Sequence, residues 1–551
     1  MSLVLLMRVV PVLLLAAPRF VDMRELSRID YVNVTGEREK RFIVSSLGTG
    51  AALFDYDQDG DLDLYVVNGA PIVGVEMKEG PGSRLYRNQG GWTFEDATEA
   101  AGVGHRGFGQ GCAVSDFDND GFPDLYVTGI GENVLYRNRG DGTFADVTDS
   151  AGAGYRSWGT SAAFFDADGD GNVDLYVANY ADPDVKKLPL PGSGPSCRWL
   201  GIPVFCGPTG LVGSRDVYFR NDGEGRFVEA SRESGLLDRS DAYGLGVVAG
   251  DYDGDGDADV CVANDSMPNL LFQNDGRGHF NETALFAGVA YNTDGRAQAG
   301  MGVDFGDLDG DGNLDVFVTT FSHDTNTAYR NLAHGVFADA TAEMNLRMAS
   351  WFYLGWATRF VDLDSDGDED LFVANGHVYP EANQGDPNTA YPQRNQIFWN
   401  GGGGKFDEGE FSKDDAMAEV HSSRGAAFGD VDEDGDTDVA VVNIDEQASL
   451  LRNDVPGGNW VGLRLVGTAS NRDALGARVV LTSGPLRQMK EVHTSGSFLS
   501  SSDPRLLFGL GDRGGADEIR IRWPSGHEER YRNLAASEYH LIVESRSPSK
   551  D

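Results

Sequence analysis

Short apolar runs recur along the chain, each entered from a cluster of aspartates and left through Asn, Gly or Thr. They read "DLYVVNG" (Asp63–Gly69), "DLYVTG" (Asp124–Gly129), "DLYVAN" (Asp174–Asn179), "DVCVAN" (Asp259–Asn264), "DVFVTT" (Asp315–Thr320), "DLFVAN" (Asp370–Asn375) and "DVAVVN" (Asp438–Asn443). Runs of this length, rich in β-branched and aromatic residues and bounded by turn formers, predict buried strands rather than helices. A second pattern lies between them: a strand ending in Asn, a Gly-rich turn, then a strand carrying Phe and an acid, as in "LYRNQGGWTFEDATEAAGV" and "LYRNRGDGTFADVTDSAGA". With the Gly-rich segment before each aspartate cluster, every unit offers four short strands. Seven such units, spaced 50 to 85 residues apart, predict an all-β, seven-bladed β-propeller. A linear β-solenoid is the rival, with coils usually shorter than these units. The seventh unit ends after "LLRN" (Leu450–Asn453), with no fourth strand of its own. "RFVDM" (Arg19–Met23) resembles the missing strand, and is expected to complete the last blade and close the ring.

The repeat stops near Pro456. Beyond it "WVGLRLVG", "GARVVLTSG", "EIRIRWPSG" and "YHLIVES" alternate apolar and polar residues, the pattern of a small β-sandwich or barrel. The expected organisation is therefore residues 1–18 a signal peptide, 19–455 the propeller, 456–545 the β-domain and 546–551 a frayed tail. The signal reading rests on the apolar stretch "MSLVLLMRVVPVLLLAAPRF" and its small residues Ala16 and Ala17, and is more regular if Met7 is the start. An uncleaved anchor or a plain apolar extension is the competing reading. No other stretch reaches the roughly 20 apolar residues of a membrane span, so no span is expected in the mature chain. Four cysteines are present. Cys197 and Cys206, close together in a Gly/Pro-rich insertion, are expected to form one disulfide in an exported protein, and Cys112 and Cys261 to be buried thiols.

The aspartates bring in chemistry. Each copy follows D-x-D-x-D-G-x-x-D. Position one is Asp55, Asp116, Asp166, Asp251, Asp307, Asp362 and Asp430, and position three is Asp57, Asp118, Asp168, Asp253, Asp309, Asp364 and Asp432. Position five is Asp59, Asp120, Asp170, Asp255, Asp311, Asp366 and Asp434. Position seven, offering a carbonyl, is Asp61, Phe122, Asn172, Asp257, Asn313, Asp368 and Asp436. Position nine is Asp63, Asp124, Asp174, Asp259, Asp315, Asp370 and Asp438. At least four like charges in nine positions, and five in the first copy, repel unless something gathers them. An all-oxygen loop with Gly at six suits Ca²⁺, up to seven ions in all; Mg²⁺ fits such cages poorly, and the lack of His and Cys argues against softer metals. The closing acid at nine and the flanking strands separate these loops from EF-hands. A net charge of −42 and a pI near 4.4 exclude a nucleic-acid backbone as partner.

The seven loops and their strands resemble the FG-GAP/VCBS repeats of integrin α-subunit propellers and their bacterial relatives, with "FGD" at Phe305–Asp307 and Phe428–Asp430. "NWVGLRLVGTASNRDALGARVVL" (Asn459–Leu481), "FGLGD" (Phe508–Asp512) and "IRIRWPSG" (Ile519–Gly526) resemble the ASPIC/UnbV domain. That order, with "NGHVYP" (Asn375–Pro380) and "CGPTGL" (Cys206–Leu211), is similar to the cartilage acidic protein family. The resemblance implies an exported, calcium-binding propeller, an extracellular matrix protein in animals. Some bacterial relatives lie among natural-product genes, which implies an enzymatic role in a subset.

No G-x-S-x-G elbow, Walker loop or H-E-x-x-H is present. His377, with Glu381 nearby, is the one weak catalytic candidate: a general base in a channel pocket, or a loop histidine making turn hydrogen bonds. His421, Arg424, His105 and Arg106 precede other blade strands and are candidates for the same region. Trp351, Phe352, Tyr353 and Trp356 suit ligand contact or packing between blades, and Asn471, Arg472 and Asp473 suit a ligand or a capped turn. The function expected is adhesion-like binding of an unknown protein or glycan by a secreted or periplasmic monomer. The alternative is an enzyme of natural-product biosynthesis acting on a small molecule in the propeller channel.

Overall fold

The computed structural model describes residues 19–181, 184–236 and 242–545. The expected signal peptide and tail therefore lie outside the described residues. The four-strand units form as the pattern predicts. In the first blade the order from the axis outward is Ala51–Phe54, Asp63–Val66, Arg84–Asn88 and Phe94–Asp96, all antiparallel. The other innermost strands are Phe108–Ser115, Arg156–Phe165, Gly244–Gly250, Gly300–Gly306, Gly355–Val361 and Ser423–Gly429. They are buried over most of their length, because their faces pack between neighbouring blades near the axis. Glycine permits that crowding: a Cβ at Gly302 would meet the Trp356 carbonyl at 2.1 Å, and one at Gly246 the Met301 carbonyl at 2.4 Å. In blades two to seven each innermost strand also shifts register once against its neighbour, as between Gly300 and Val303.

The ring closes as expected. Phe20–Asp22 pairs antiparallel with Ser449–Asn453 (Phe20 opposite Asn453, Asp22 opposite Leu451), as the outer strand of blade seven. The chain's first described strand thus latches its last blade.

The C-terminal β-domain has a three-stranded sheet ordered Leu506–Gly511, Asn459–Val466, Tyr539–Val543, and a four-stranded sheet ordered Leu486–Glu491, Arg478–Ser483, Gly515–Arg522, Glu528–Ala535. Val461, Leu463, Val479, Leu481, Phe508 and Ile519 are among the apolar side chains buried in it. The domain sits on the face of the ring that carries the aspartate loops. Between its strands, residues 494–503 ("TSGSFLSSSD") run into the propeller axis and touch the innermost strand of every blade. Ser501 N donates to Ala51 O (2.9 Å), Cys112 N to Leu499 O (3.1 Å), and Leu499 N to Ser161 Oγ (2.9 Å). Gly496 N donates to Val247 O (3.0 Å), and Val303 N to Ser497 O (3.1 Å). Arg359 Nη1 donates to Ser495 O (2.9 Å), Ser497 Oγ to Ala426 O (2.9 Å), and Asp503 N to Phe428 O (3.0 Å). Innermost strands present an unpaired edge to the axis, and buried backbone groups need partners. A segment rich in serine hydroxyls supplies them. Phe498, fully buried, packs on Trp356 with ring centroids 4.9 Å apart.

Candidate metal loops and their surroundings

Each aspartate motif turns back on itself by a repeated set of bonds. The Asp at position one accepts a loop N–H, for example Gly121 N to Asp116 Oδ2 (2.6 Å) and Gly312 N to Asp307 Oδ2 (2.9 Å). Position five accepts the N–H of position seven, as Asn313 N to Asp311 Oδ1 (2.8 Å). The glycine at six holds a positive φ in every copy: Gly60, Gly121, Gly171, Gly256, Gly312, Gly367 and Gly435 lie between 86° and 104°. This fold of the loop gathers the carboxylates. Three oxygens lie within 4.8 Å of one another in Asp55–Asp57–Asp63, Asp116–Asp118–Asp124, Asp166–Asp168–Asp170, Asp251–Asp253–Asp255 and Asp307–Asp309–Asp311.

Among the described residues, Asp55 Oδ1, Asp57 Oδ1, Asp118 Oδ1, Asp307 Oδ1, Asp364 Oδ1 and Asp436 Oδ1 are buried with no protein hydrogen-bond partner. Burial pushes Asp307 and Asp362 up to about 7, reinforced at Asp307 by the charge of Glu369 and opposed at Asp362 by that of Lys490. Asp116 goes up to about 8, from burial first and then the charge of Asp473. An all-oxygen donor set with orphaned anionic lone pairs fits a hard cation. Position-seven side chains differ from loop to loop: Asp436 Oδ1 is one of these orphaned oxygens, while Asn172 and Asn313 donate to the position-five carboxylates of Asp170 (3.0 Å) and Asp311 (2.9 Å). Phe122 packs its ring against the backbone at Gly140, so such a residue has only its carbonyl to offer.

Position nine has a further task. Both oxygens of each of these aspartates accept backbone N–H groups. Asp63 takes Tyr56 N (3.1 Å) and Asn88 N (2.8 Å), and Asp315 takes Leu308 N (2.8 Å) and Asn331 N (2.6 Å). The second donor is always the Asn that ends the third strand, and its side chain makes a contact that the repeat pattern alone does not assign. Asn138 Nδ2 donates to Tyr56 O of the preceding blade (2.8 Å) and to Pro123 O of its own loop (3.1 Å). Asn88, Asn221, Asn274, Asn331, Asn400 and Asn453 likewise reach Val431 O, Phe117 O, Ala167 O, Tyr252 O, Leu308 O and Leu363 O. Each receiving carbonyl is position two of the preceding loop, so seven asparagines sew the loops into a ring. The recurring Asn of "YRN" was the available signal. The Arg beside it was another: Arg87 Nε pairs with Asp57 (2.7 Å) and Arg137 Nε with Asp118 (2.5 Å).

The C-terminal domain meets the loops through polar side chains. Asp473 Oδ2 accepts from Ser115 Oγ (2.7 Å) and Asp116 N (2.8 Å), and Glu491 Oε1 accepts from Asp251 N (3.1 Å). Tyr539 Oη donates to Asp430 Oδ2 (2.9 Å), and Arg522 Nη2 to Asp255 O (3.0 Å). Of the loop triplet, Asn471 closes its own turn with Leu475, Oδ1 accepting N–H at 2.8 Å, and Arg472 N donates to Asn119 Oδ1 (2.8 Å).

The remaining candidates lie elsewhere. His377 is fully buried. Its Nδ1 accepts from Tyr379 N (3.0 Å), so the neutral ring carries its proton on Nε2, which faces Ser322 Oγ at 3.0 Å. Burial, then the charges of Arg424 and His323, holds its pKa down at about 3. Glu381 instead opens the short helix Ala382–Gly385. Arg424 is buried, donates to the carbonyls of Ser46, Gly376, Ser423 and His377, and lies 4.2 Å over the Trp356 ring. His421 lies between Glu419 and Glu446, and Arg106 pairs with Glu79 at 3.6 Å. His105 is half-buried, with burial lowering its pKa. The aromatic cluster is divided: Trp351 stacks on His323, Phe352 meets the same ring edge-on, Tyr353 takes Arg394 over its face, and Trp356 faces the axis segment. Cys197 and Cys206 are disulfide-bonded, and Cys112 and Cys261 are buried thiols.

A closed propeller ring with repeated acidic loops, capped by a β-domain, is thus the class of protein the fold and site define. The FG-GAP-like repeat model matches residues 55–127, 116–177, 204–262, 251–318 and 307–373, and the ASPIC and UnbV model matches residues 467–549. The chain belongs to the FG-GAP-like repeat family and carries an ASPIC and UnbV domain. Cartilage acidic protein 1 of Mus musculus is 26% identical over 319 residues, covering 56% of this chain and 46% of that protein. The Homo sapiens protein is 26% identical over 309 residues, covering 55% and 44%. The chain spans about half the length of the curated relatives it matches. Among solved structures, BBS1N in complex with ARL6DN is similar at TM-score 0.40 and 10% identity, over 79% of this chain and 97% of that one. An Agrocybe aegerita lectin recognising non-reducing terminal N-acetylglucosamine is similar at TM-score 0.37 and 16% identity, over 72% and 86%.

Proposed function

We propose that this is an exported propeller, secreted or periplasmic, rigidified by up to seven Ca²⁺ ions and serving to bind a protein or glycan. The observation that carries the reading is the set of buried carboxylate oxygens that no protein group satisfies, repeated around the ring. Carboxylates at positions one, three and five would hold the ion with the carbonyl of position seven, and position nine would close each loop while anchoring it to the third strand. The bound cation would offset the repulsion within each loop. A disulfide fits an oxidising compartment, and among the described residues no helix is long and apolar enough to cross a membrane. Binding agrees with a scaffold whose loops gather at the two ends of the ring.

Chemistry in the channel with His377 as base is the weaker reading. Both ring nitrogens are already engaged, and residues 494–503 fill the axis beneath.

Elemental analysis and calorimetry test the proposal together. Desalted protein is expected to retain calcium, and EDTA to lower Tm sharply, because the ion binds the folded loops better than the unfolded chain. Metal-free protein with an unchanged transition would rule out structural calcium.

A further inference from the structure

The end of the ring remote from the aspartate loops holds a cavity of about 350 Å³, within the range of small-molecule sites. It is built where the second strands of blades three to six run out: Tyr180, Asp265, Phe321 and Tyr379 follow the strands ending at Asn179, Asn264, Thr320 and Asn375. Leu245, Met301, Leu354 and Trp356 add apolar wall nearer the axis. The insertion of blade three forms the roof. Its hairpin Arg198–Trp199/Ile202–Pro203, stapled by Cys197–Cys206, crosses to blades five and six. Trp199 packs on His323 and His377 with centroids 5.6 and 4.8 Å away, and Phe205 on Tyr379 at 4.8 Å. The disulfide thus fixes an aromatic lid over the channel mouth.

The polar lining of the cavity consists of two acids, Asp265 and Asp324, with His323 and neutral hydroxyls. Asp265 accepts from Tyr180 Oη (2.6 Å) and Ser266 Oγ (2.8 Å), leaving lone pairs on a carboxylate with four acceptor sites. Asp324 is a second acid, and His323 is paired with Asp386 at 2.9 Å. None of the described lining residues is Lys or Arg. Aromatic faces beside carboxylates, in a strongly acidic protein, recognise cations through ring quadrupoles and Coulomb attraction together.

We propose that this cavity binds a small organic ammonium ion with an apolar body, its charged nitrogen directed to Asp265 and its body held under Trp199. The site is separate from the acidic loops and does not depend on their metal chemistry.

Calorimetric titration of the full chain at saturating calcium, which keeps the loops occupied, compares phenethylamine with 2-phenylethanol, its neutral counterpart of similar size. The amine is expected to bind about tenfold tighter. Asp265→Asn, which keeps an acceptor for Tyr180, is expected to remove that preference while the alcohol still binds. Trp199→Ala is expected to weaken both. An alcohol that binds as tightly as the amine in the unaltered protein overturns the proposal, as does an amine that fails to saturate at millimolar concentration. So does a folded Asp265→Asn protein that retains the preference.

Discussion

Six of the seven asparagines, all but Asn453, have three jobs, and Asn331 shows what one of them contributes. Its backbone N–H is held by Asp315, and its side chain donates to Tyr252 O (2.7 Å) and Leu314 O (2.9 Å), joining blade five to the loop of blade four. No other side chain type of that size has two donors on one atom. Asn331→Ala strands two buried carbonyls at about 1–3 kcal/mol each, partly relieved by relaxation. Urea unfolding is expected to show a loss of about 2–4 kcal/mol. Asn331→Asp is isosteric but brings a carboxylate against those carbonyls, and is expected to be at least as destabilising. An aspartate variant as stable as the unaltered protein would show that the carbonyls find other donors. The aspartates were legible from spacing alone, because D-x-D-x-D-G-x-x-D recurring in register is the pattern of an oxygen-lined cation loop. The role of the Asn was not, since its partner is a backbone carbonyl in the preceding blade, and the residue at position two, always a buried apolar one, shows only that its side chain enters the core.

Among elements, the blades and the axis segment make opposite cases. The four-strand unit was readable because it recurs, and because buried central strands appear as short apolar runs. Even the latch strand Phe20–Asp22 was readable, from the fourth strand missing in the last unit. "TSGSFLSSSD" reads as loop, and locally it is one; its path is imposed from outside, by seven innermost strands whose edges converge on the axis. The three-dimensional requirement that those edges be satisfied leaves no periodicity in the segment itself. The same holds for Asp473 and Glu491, whose placement against the loops of blades two and four depends on how the C-terminal domain docks. The axis segment therefore ties blades to one another and the domain to the ring. Phe498→Ala removes its largest buried group, and truncating a buried Phe costs about 3–5 kcal/mol. Equilibrium unfolding is expected to show that loss, together with faster proteolysis around Pro456–Gly458 as the domain loosens. A loss below about 1 kcal/mol would mean that the segment only lines the channel and does not hold it.

At the scale of the whole molecule the net charge of −42 meets a core that buries carboxyl groups at every blade. Burial pushes Asp63 and Asp315 up to about 8 and Asp370 up to about 9, against the ordinary carboxylate value near 4. The consequence for the metal-free protein has a definite sign. Between about pH 4 and pH 8 the folded chain holds protons that the unfolded chain has released, so stability falls as pH rises through that window. This is the reverse of ordinary acid denaturation, in which carboxylates stabilised as ions are lost on protonation. A bound dication stabilises the ionised form instead, and so removes the penalty at high pH. Thermal unfolding in EDTA is accordingly expected to give a higher Tm at about pH 5 than at about pH 8, and in calcium the difference should shrink or reverse. A Tm in EDTA that climbs with pH would show that the backbone N–H groups around position nine, Tyr56 and Asn88 in the first blade, already hold those aspartates as ions. The loops would then be preformed for the cation rather than assembled by it.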